Sequence, residues 1–262
     1  MDVTVSILPQ KYFVEKIGGE RVRVNVLALP GASPHTYEPR PRQMTALKNS
    51  RIYFTIGVEF EKAWIPKFRA VNPNLIVADT CQGIERIPME SRHRQEDALE
   101  GNMDPHVWLS PSLVRIIAKN ILEALVQADP RAKNLFQKNH EKFSLEIVRL
   151  DEELKKILAP GKETAFLVFH PAWGYFARDY GLKQIPVEME GKNPGPKDLQ
   201  RIIELARERN IKVVFAQPQV SPKMAQTIAD AIGGQVALID PLSEDWAGNL
   251  KQAAEKLKSA LK

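Results

Sequence analysis

The chain has five histidines, and three of them sit against proline: His35 follows Pro34, His106 follows Pro105 and His170 precedes Pro171. Each therefore lies at a break in regular structure. Asp240, which precedes Pro241, occupies the same kind of position. Three imidazoles and one carboxylate suit a tetrahedral zinc ion, because imidazole nitrogen is a borderline ligand and one carboxylate offsets part of the cation's charge. The separations are too long for a helical metalloprotease pair or a zinc finger. Spacing alone leaves two readings open: a ligand set, or three separate cap, turn and core histidines. Asp-Pro is also an ordinary turn starter. The enzymatic form of the ligand reading is a zinc-dependent hydrolase, with Glu38 or Glu190 as its general base. No Ser, His and Asp arrangement, glycine-rich phosphate loop or second metal cluster accompanies it.

The elements that must position these residues can be read from hydrophobic pattern. Runs rich in β-branched residues recur at Val3–Leu8, Val22–Leu27, Ile52–Ile56, Leu75–Ala78, Ala165–Phe169, Val213–Ala216 and Val236–Ile239. Helix-period segments, including Lys11–Ile17, Arg42–Lys48 and Leu199–Arg209, alternate with them. The alternation predicts an α/β protein with largely parallel sheets. His35 follows the strand ending at Leu27, His170 ends the strand from Ala165, and Asp240 ends the strand from Val236. Ligands of open α/β sheets bind beyond the carboxyl ends of strands.

A strandless stretch divides the strands into two groups. Asp129 is a good N-cap and Pro130 a good first helical residue, and Leu135, Phe136, Phe143, Ile147, Leu150, Leu154 and Ile157 follow at helical steps. Unbroken to Leu158, this helix would be about 40 Å long. The expected division is an N-terminal lobe over 1–128, a connecting backbone helix over 129–159 and a C-terminal lobe over 160–262. Two facing lobes would bring two of the four candidate ligands each to an interlobe cleft.

Composition excludes several classes. Hydrophobic residues at 44% and charged residues at 26% describe a globular chain, not a disordered one. The net charge of +5 is modest, and its lysines and arginines mix with acids along stretches such as Glu141 to Lys156, which gives no nucleic-acid stripe. No apolar run approaches the roughly 20 residues that span a bilayer. The single cysteine, Cys81, excludes an intrachain disulfide and reads as a small buried residue. The segment Ile87 to Asn102 reads as an exposed loop containing His93, and His140 as a solvated histidine on the long helix. Trp173, Tyr175 and Phe176 are expected to pack around His170, and Glu38 or Asp104 to accept the second N–H of an imidazole.

Four ordered motifs sharpen the ligand reading: Pro34-His35-Thr36-Tyr37-Glu38-Pro39, Asp104-Pro105-His106-Val107-Trp108-Leu109-Ser110-Pro111, His170-Pro171-Ala172-Trp173-Gly174-Tyr175, and Ile239-Asp240-Pro241-Leu242. Over essentially its whole length the chain resembles the zinc- and manganese-specific solute-binding proteins of ABC importers, the family that includes metal-binding adhesin lipoproteins. The resemblance implies two (β/α) lobes joined by one long backbone helix, with one metal ion as cargo held by His35, His106, His170 and Asp240. It implies capture of zinc, with manganese or iron(II) as the alternative cargo, and delivery to a membrane ABC permease. Four protein ligands close a coordination shell, which suits binding and release rather than catalysis. The expected protein is a non-enzymatic monomer, periplasmic or attached to the cell surface, with no nucleic-acid partner and no organic substrate. Its extracytoplasmic placement rests on the resemblance, because Val3 to Leu8 opens the chain without a basic and apolar leader before it. Two departures stand out. The His- and Asp-rich loop that zinc members often carry is reduced to a stretch holding only His93, and the frequent His-Asp-Ala motif reads His170-Pro171-Ala172.

Overall fold

The computed structural model describes residues 1–89, 103–161, 163–188, 194–218 and 222–260. Most of the expected Ile87 to Asn102 loop, including His93, lies outside the described residues, as does Glu190. Packing groups the chain into two compact units: residues 1–85 with 111–151 and 242–246, and residues 86–110 with 152–241 and 247–262.

The first unit runs β1 (Asp2–Val5), α1 (Leu8–Gly18), β2 (Arg23–Val26), α2 (Pro41–Lys48), β3 (Ile52–Thr55), α3 (Glu59–Val71), β4 (Ile76–Asp79) and α4 (Pro111–Ala128), then enters α5 (Lys133–Leu158). Its four strands are all parallel, in the order β2-β1-β3-β4. Helices connecting parallel strands cover both faces of a sheet, so central strands can be apolar without alternation. Val3, Val5, Ile52, Tyr53 and Phe54 are accordingly fully buried. Helix α5 presents Phe136, Phe143, Ile147 and Leu150 at helical spacing as its buried stripe. Phe143 meets Phe13 of α1, whose ring stands edge-on to Trp246 at 5.1 Å between centroids. Short 3₁₀ turns at Pro130–Ala132 and Ala159–Gly161 flank α5, so the helical run extends from 130 to 161.

With β1 flanked by β2 and β3, the winding reverses at the carboxyl ends of β1 and β3, the usual place for a site in such sheets. Buried Glu61 closes this point, accepting the Ser6 hydroxyl and the N–H groups of Ile56 (2.9 Å) and Gly57 (2.7 Å). Burial pushes its carboxyl up to about 7.

The second unit completes α5 and adds β5 (Ala165–Val168), α6 (Gly174–Tyr180), β6 (Lys183–Pro186), α7 (Pro196–Glu208), β7 (Val213–Ala216), α8 (Pro222–Ala231), β8 (Gln235–Leu238) and α9 (Trp246–Ala260). Its parallel order is β6-β5-β7-β8, over a core containing Leu167, Val187, Ile202, Ala206, Val214 and Ile228. Strand β6 is absent from the pattern-based reading. Its sequence, Lys-Gln-Ile-Pro, alternates poorly and ends in proline, which is tolerated because β6 is an edge strand. The first strand is also shorter than its apolar run, ending at Val5 because Leu8 already opens α1 with Pro9 in the first turn.

Candidate metal centre

His35 lies on the connection between β2 and α2, which Gln43 organises. The Gln43 amide donates to the carbonyls of Val26 (3.2 Å) and Leu27 (2.6 Å), while its oxygen accepts from Arg40 N–H (2.9 Å) and the Tyr37 hydroxyl (2.5 Å). Tyr37 also packs edge-on against Phe60 near the start of α3, at 5.3 Å between ring centroids. These contacts carry the loop to α3, where Glu59, the first helical residue, sits 2.8 Å from His35 Nδ1. Glu59 fills the role expected of Glu38, whose side chain is exposed.

His106 is set by its own motif. The Asp104 carboxylate accepts from the backbone N–H of His106 (2.8 Å), an Asx turn, and the same oxygen lies 2.7 Å from His106 Nδ1. A 3₁₀ turn over Val107–Leu109 follows. Asp104 and His106 are both buried, and the expectation that Asp104 orients an imidazole holds.

His170 stands two residues beyond β5. Parallel pairing sets Val168 opposite Pro186, so the same offset carried two residues further puts Glu188 beside His170. Glu188 N–H bonds the Phe169 carbonyl (3.0 Å), and its carboxylate lies 2.5 Å from His170 Nδ1, with both side chains only 9% exposed. Gln184 of β6 steadies the turn between, accepting from Trp173 N–H at 2.7 Å. Trp173, Tyr175 and Phe176, which follow His170, are all buried. Pattern reading had no access to Glu188 because it depends on β6.

Asp240 follows β8 on a doubly tethered segment. Asn249 donates to the Asp240 carbonyl (2.6 Å) and the Trp108 indole N–H to the Pro241 carbonyl (2.7 Å). The Trp108 ring also lies 5.1 Å from that of His106. His140 departs from expectation: its Nε2 is buried without a hydrogen-bond partner among the described residues, and that burial lowers the imidazole's pKa against a smaller opposing effect of Glu141.

The chemistry follows from the tautomers. An ionised carboxylate only accepts, so the ring nitrogen it holds carries the proton and the other nitrogen bears a lone pair. Asp104 and Glu188 each hold an Nδ1, and the two remaining nitrogens, His106 Nε2 and His170 Nε2, face one another at 3.2 Å. Two lone pairs at that separation repel unless a proton or a metal cation lies between them. Carboxylate-held imidazoles of this kind are the usual dress of a metal ligand. His35, His106 and His170 form a potential metal-binding group, one ligand atom from each lying within 4.8 Å of the others. The Asp240 carboxylate is not among that group.

Known proteins resemble this chain in sequence and fold. The family model described as zinc-uptake complex component A, periplasmic, matches residues 3–260. The high-affinity zinc uptake system protein ZnuA of Bacillus subtilis is 28% identical over 251 residues, covering 92% of this chain and 78% of the relative. A crystal structure of ZnuA superposes with a TM-score of 0.93 at 45% identity, covering 100% of this chain and 99% of the other. A zinc-bound deletion mutant of ZnuA superposes at 0.92 and 45% identity, covering 99% and 97%. The three-histidine group and the zinc-bound relative together support one bound metal ion. No helix among the described residues is long and apolar enough to cross a membrane. The chain therefore belongs to the periplasmic zinc-uptake component A (ZnuA) family, solute-binding proteins of ABC transport complexes that bind cargo and are not enzymes.

Proposed function

We propose that the chain captures a single zinc ion through His35, His106, His170 and Asp240 and delivers it to a membrane ABC permease. It acts as a monomer on the outer side of the cytoplasmic membrane, in the periplasm or at the cell surface. One observation carries the reading: two imidazole Nε2 atoms 3.2 Å apart, each on a ring whose Nδ1 is held by a carboxylate. Three nitrogen donors favour zinc over manganese, which prefers more oxygen ligands and a higher coordination number. Asp240 supplies the carboxylate that closes the shell, held in place by the Asn249 and Trp108 tethers on its backbone.

The test is elemental analysis of protein purified without added metal, followed by competition titrations of zinc against manganese. Wild type should carry one zinc per chain, and His106→Ala should lose it. His170→Glu should weaken zinc and narrow its advantage over manganese. Wild-type protein that prefers manganese, or a His106→Ala variant that keeps full zinc affinity, would overturn the assignment.

A further inference from the structure

We propose that Tyr175 and Gly174 are positioning residues for the ligand His106, acting through Asp104; this rests on the reading of His106 as a metal ligand. The chain enters the His106 motif through a narrow neck. Pro88 and Met103 form an antiparallel bridge, and Asp104 N–H bonds the Ile87 carbonyl at 2.9 Å. The Tyr175 hydroxyl joins both sides of that neck, accepting from Ile87 N–H (3.1 Å) and donating to the Asp104 carbonyl (2.9 Å). A hydroxyl has one proton to give, so these two contacts fix its orientation.

Gly174, the residue before it, works on the other end of Asp104. A Cβ built on Gly174 would lie 2.9 Å from Asp104 Oδ2, inside the distance that real side chains tolerate. Asp104 has little room to yield. It is buried, and its Oδ1 is committed to both the backbone N–H and the ring Nδ1 of His106. Tyr175 thus holds the Asp104 main chain, Gly174 leaves space for the side chain, and that side chain sets the His106 ring. Tyr175 is fully buried and its ring carries Arg178 at 5.1 Å, so the ring packs whether or not the hydroxyl is present. Removing the hydroxyl alone separates the two roles.

The experiment compares wild type, Tyr175→Phe, Gly174→Ala and His106→Ala by zinc competition titration. In parallel, the downfield imidazole N–H resonances of the zinc-loaded protein are followed by proton NMR. Tyr175→Phe should weaken zinc about tenfold, the lower end of what loss of an outer-shell partner costs. It should shift or broaden the His106 N–H resonance while leaving that of His170, which bonds Glu188, in place. Gly174→Ala should move the same resonance, and it carries the test if Tyr175→Phe does not fold. A purely structural role would lower the melting temperature with zinc affinity and both resonances unchanged, and that result overturns the proposal. If His106→Ala retains wild-type affinity, the metal reading itself fails. If His106→Ala loses zinc while Tyr175→Phe and Gly174→Ala bind normally, only the positioning role fails.

Discussion

Replacing Glu188 with alanine should weaken zinc binding by about 10- to 100-fold, the usual effect of removing a carboxylate that orients a metal-bound imidazole. At 1.4 kcal/mol per decade this is about 1.4–2.8 kcal/mol. The structure places the loss towards the upper end. Both partners are only 9% exposed, so water does not readily replace the carboxylate, and the backbone N–H of Glu188 on the Phe169 carbonyl keeps the side chain from swinging away. Glu188→Gln keeps an acceptor oxygen and removes the charge. A hydrogen bond to a charged group exceeds a neutral one by about 1 kcal/mol, so glutamine should cost about fivefold. The assay is competition against a chromophoric chelator at one pH and ionic strength, on protein stripped of metal, with the melting temperature of each stripped variant as a folding control. A Glu188→Ala variant that binds within twofold of wild type, while His170→Ala has lost the ion, would show that Glu188 does not orient a metal ligand. Equal losses for glutamine and alanine would show that charge, and not the orienting hydrogen bond, is what His170 needs.

Zinc should raise the melting temperature of stripped protein, because an ion that binds only the folded chain stabilises it by mass action, about 2.7 kcal/mol at a hundredfold excess over Kd. An unchanged melt under that excess would count against the site. His140, buried at Nε2 with its pKa lowered, contributes stability that is complete above the unfolded value of about 6.5 and is lost as pH falls through the lower folded value. Metal-free His140→Gln should therefore show a flatter stability profile than wild type below about pH 6.5, and parallel profiles in denaturant titrations would exclude the effect. Asn249→Ala removes the donor on the Asp240 carbonyl and should weaken zinc by up to about tenfold; unaltered competition curves would remove Asp240's tether from the account of the site.

Much of this protein is legible in its sequence, and the limits have physical causes. Long elements with strong periods declare themselves: the stripe from Phe136 to Leu158 marks the long helix, and the buried runs at β1, β3, β5 and β7 mark parallel strands. The histidines are visible because proline sets each apart. Asp104 is visible too, since an Asx turn is a local event two residues long. What escapes is what depends on register. Glu188 reaches His170 only through the pairing of β5 with an edge strand that has almost no pattern. Glu59 reaches His35 because Gln43 and Tyr37 fold a loop back on α3, and nothing near Glu59 in sequence announces that. His140 misleads for the opposite reason: charged neighbours suggest solvent, while the buried side of the helix is set by packing.

His106 and His170 belong to the same compact unit. Two imidazoles of the proposed coordination shell are thus paired within one unit, each held by its own carboxylate, and that pair is set independently of the remaining ligands. Under the proposed function, a receiving donor that displaced His35 would leave the ion on that pair, so exchange would not require a fully uncoordinated ion. His35→Ala should accordingly retain zinc on the paired seat and release it to a chelator faster than wild type, while His106→Ala or His170→Ala abolishes the seat. Stopped-flow release rates that are equal for wild type and His35→Ala would show that departure is limited elsewhere.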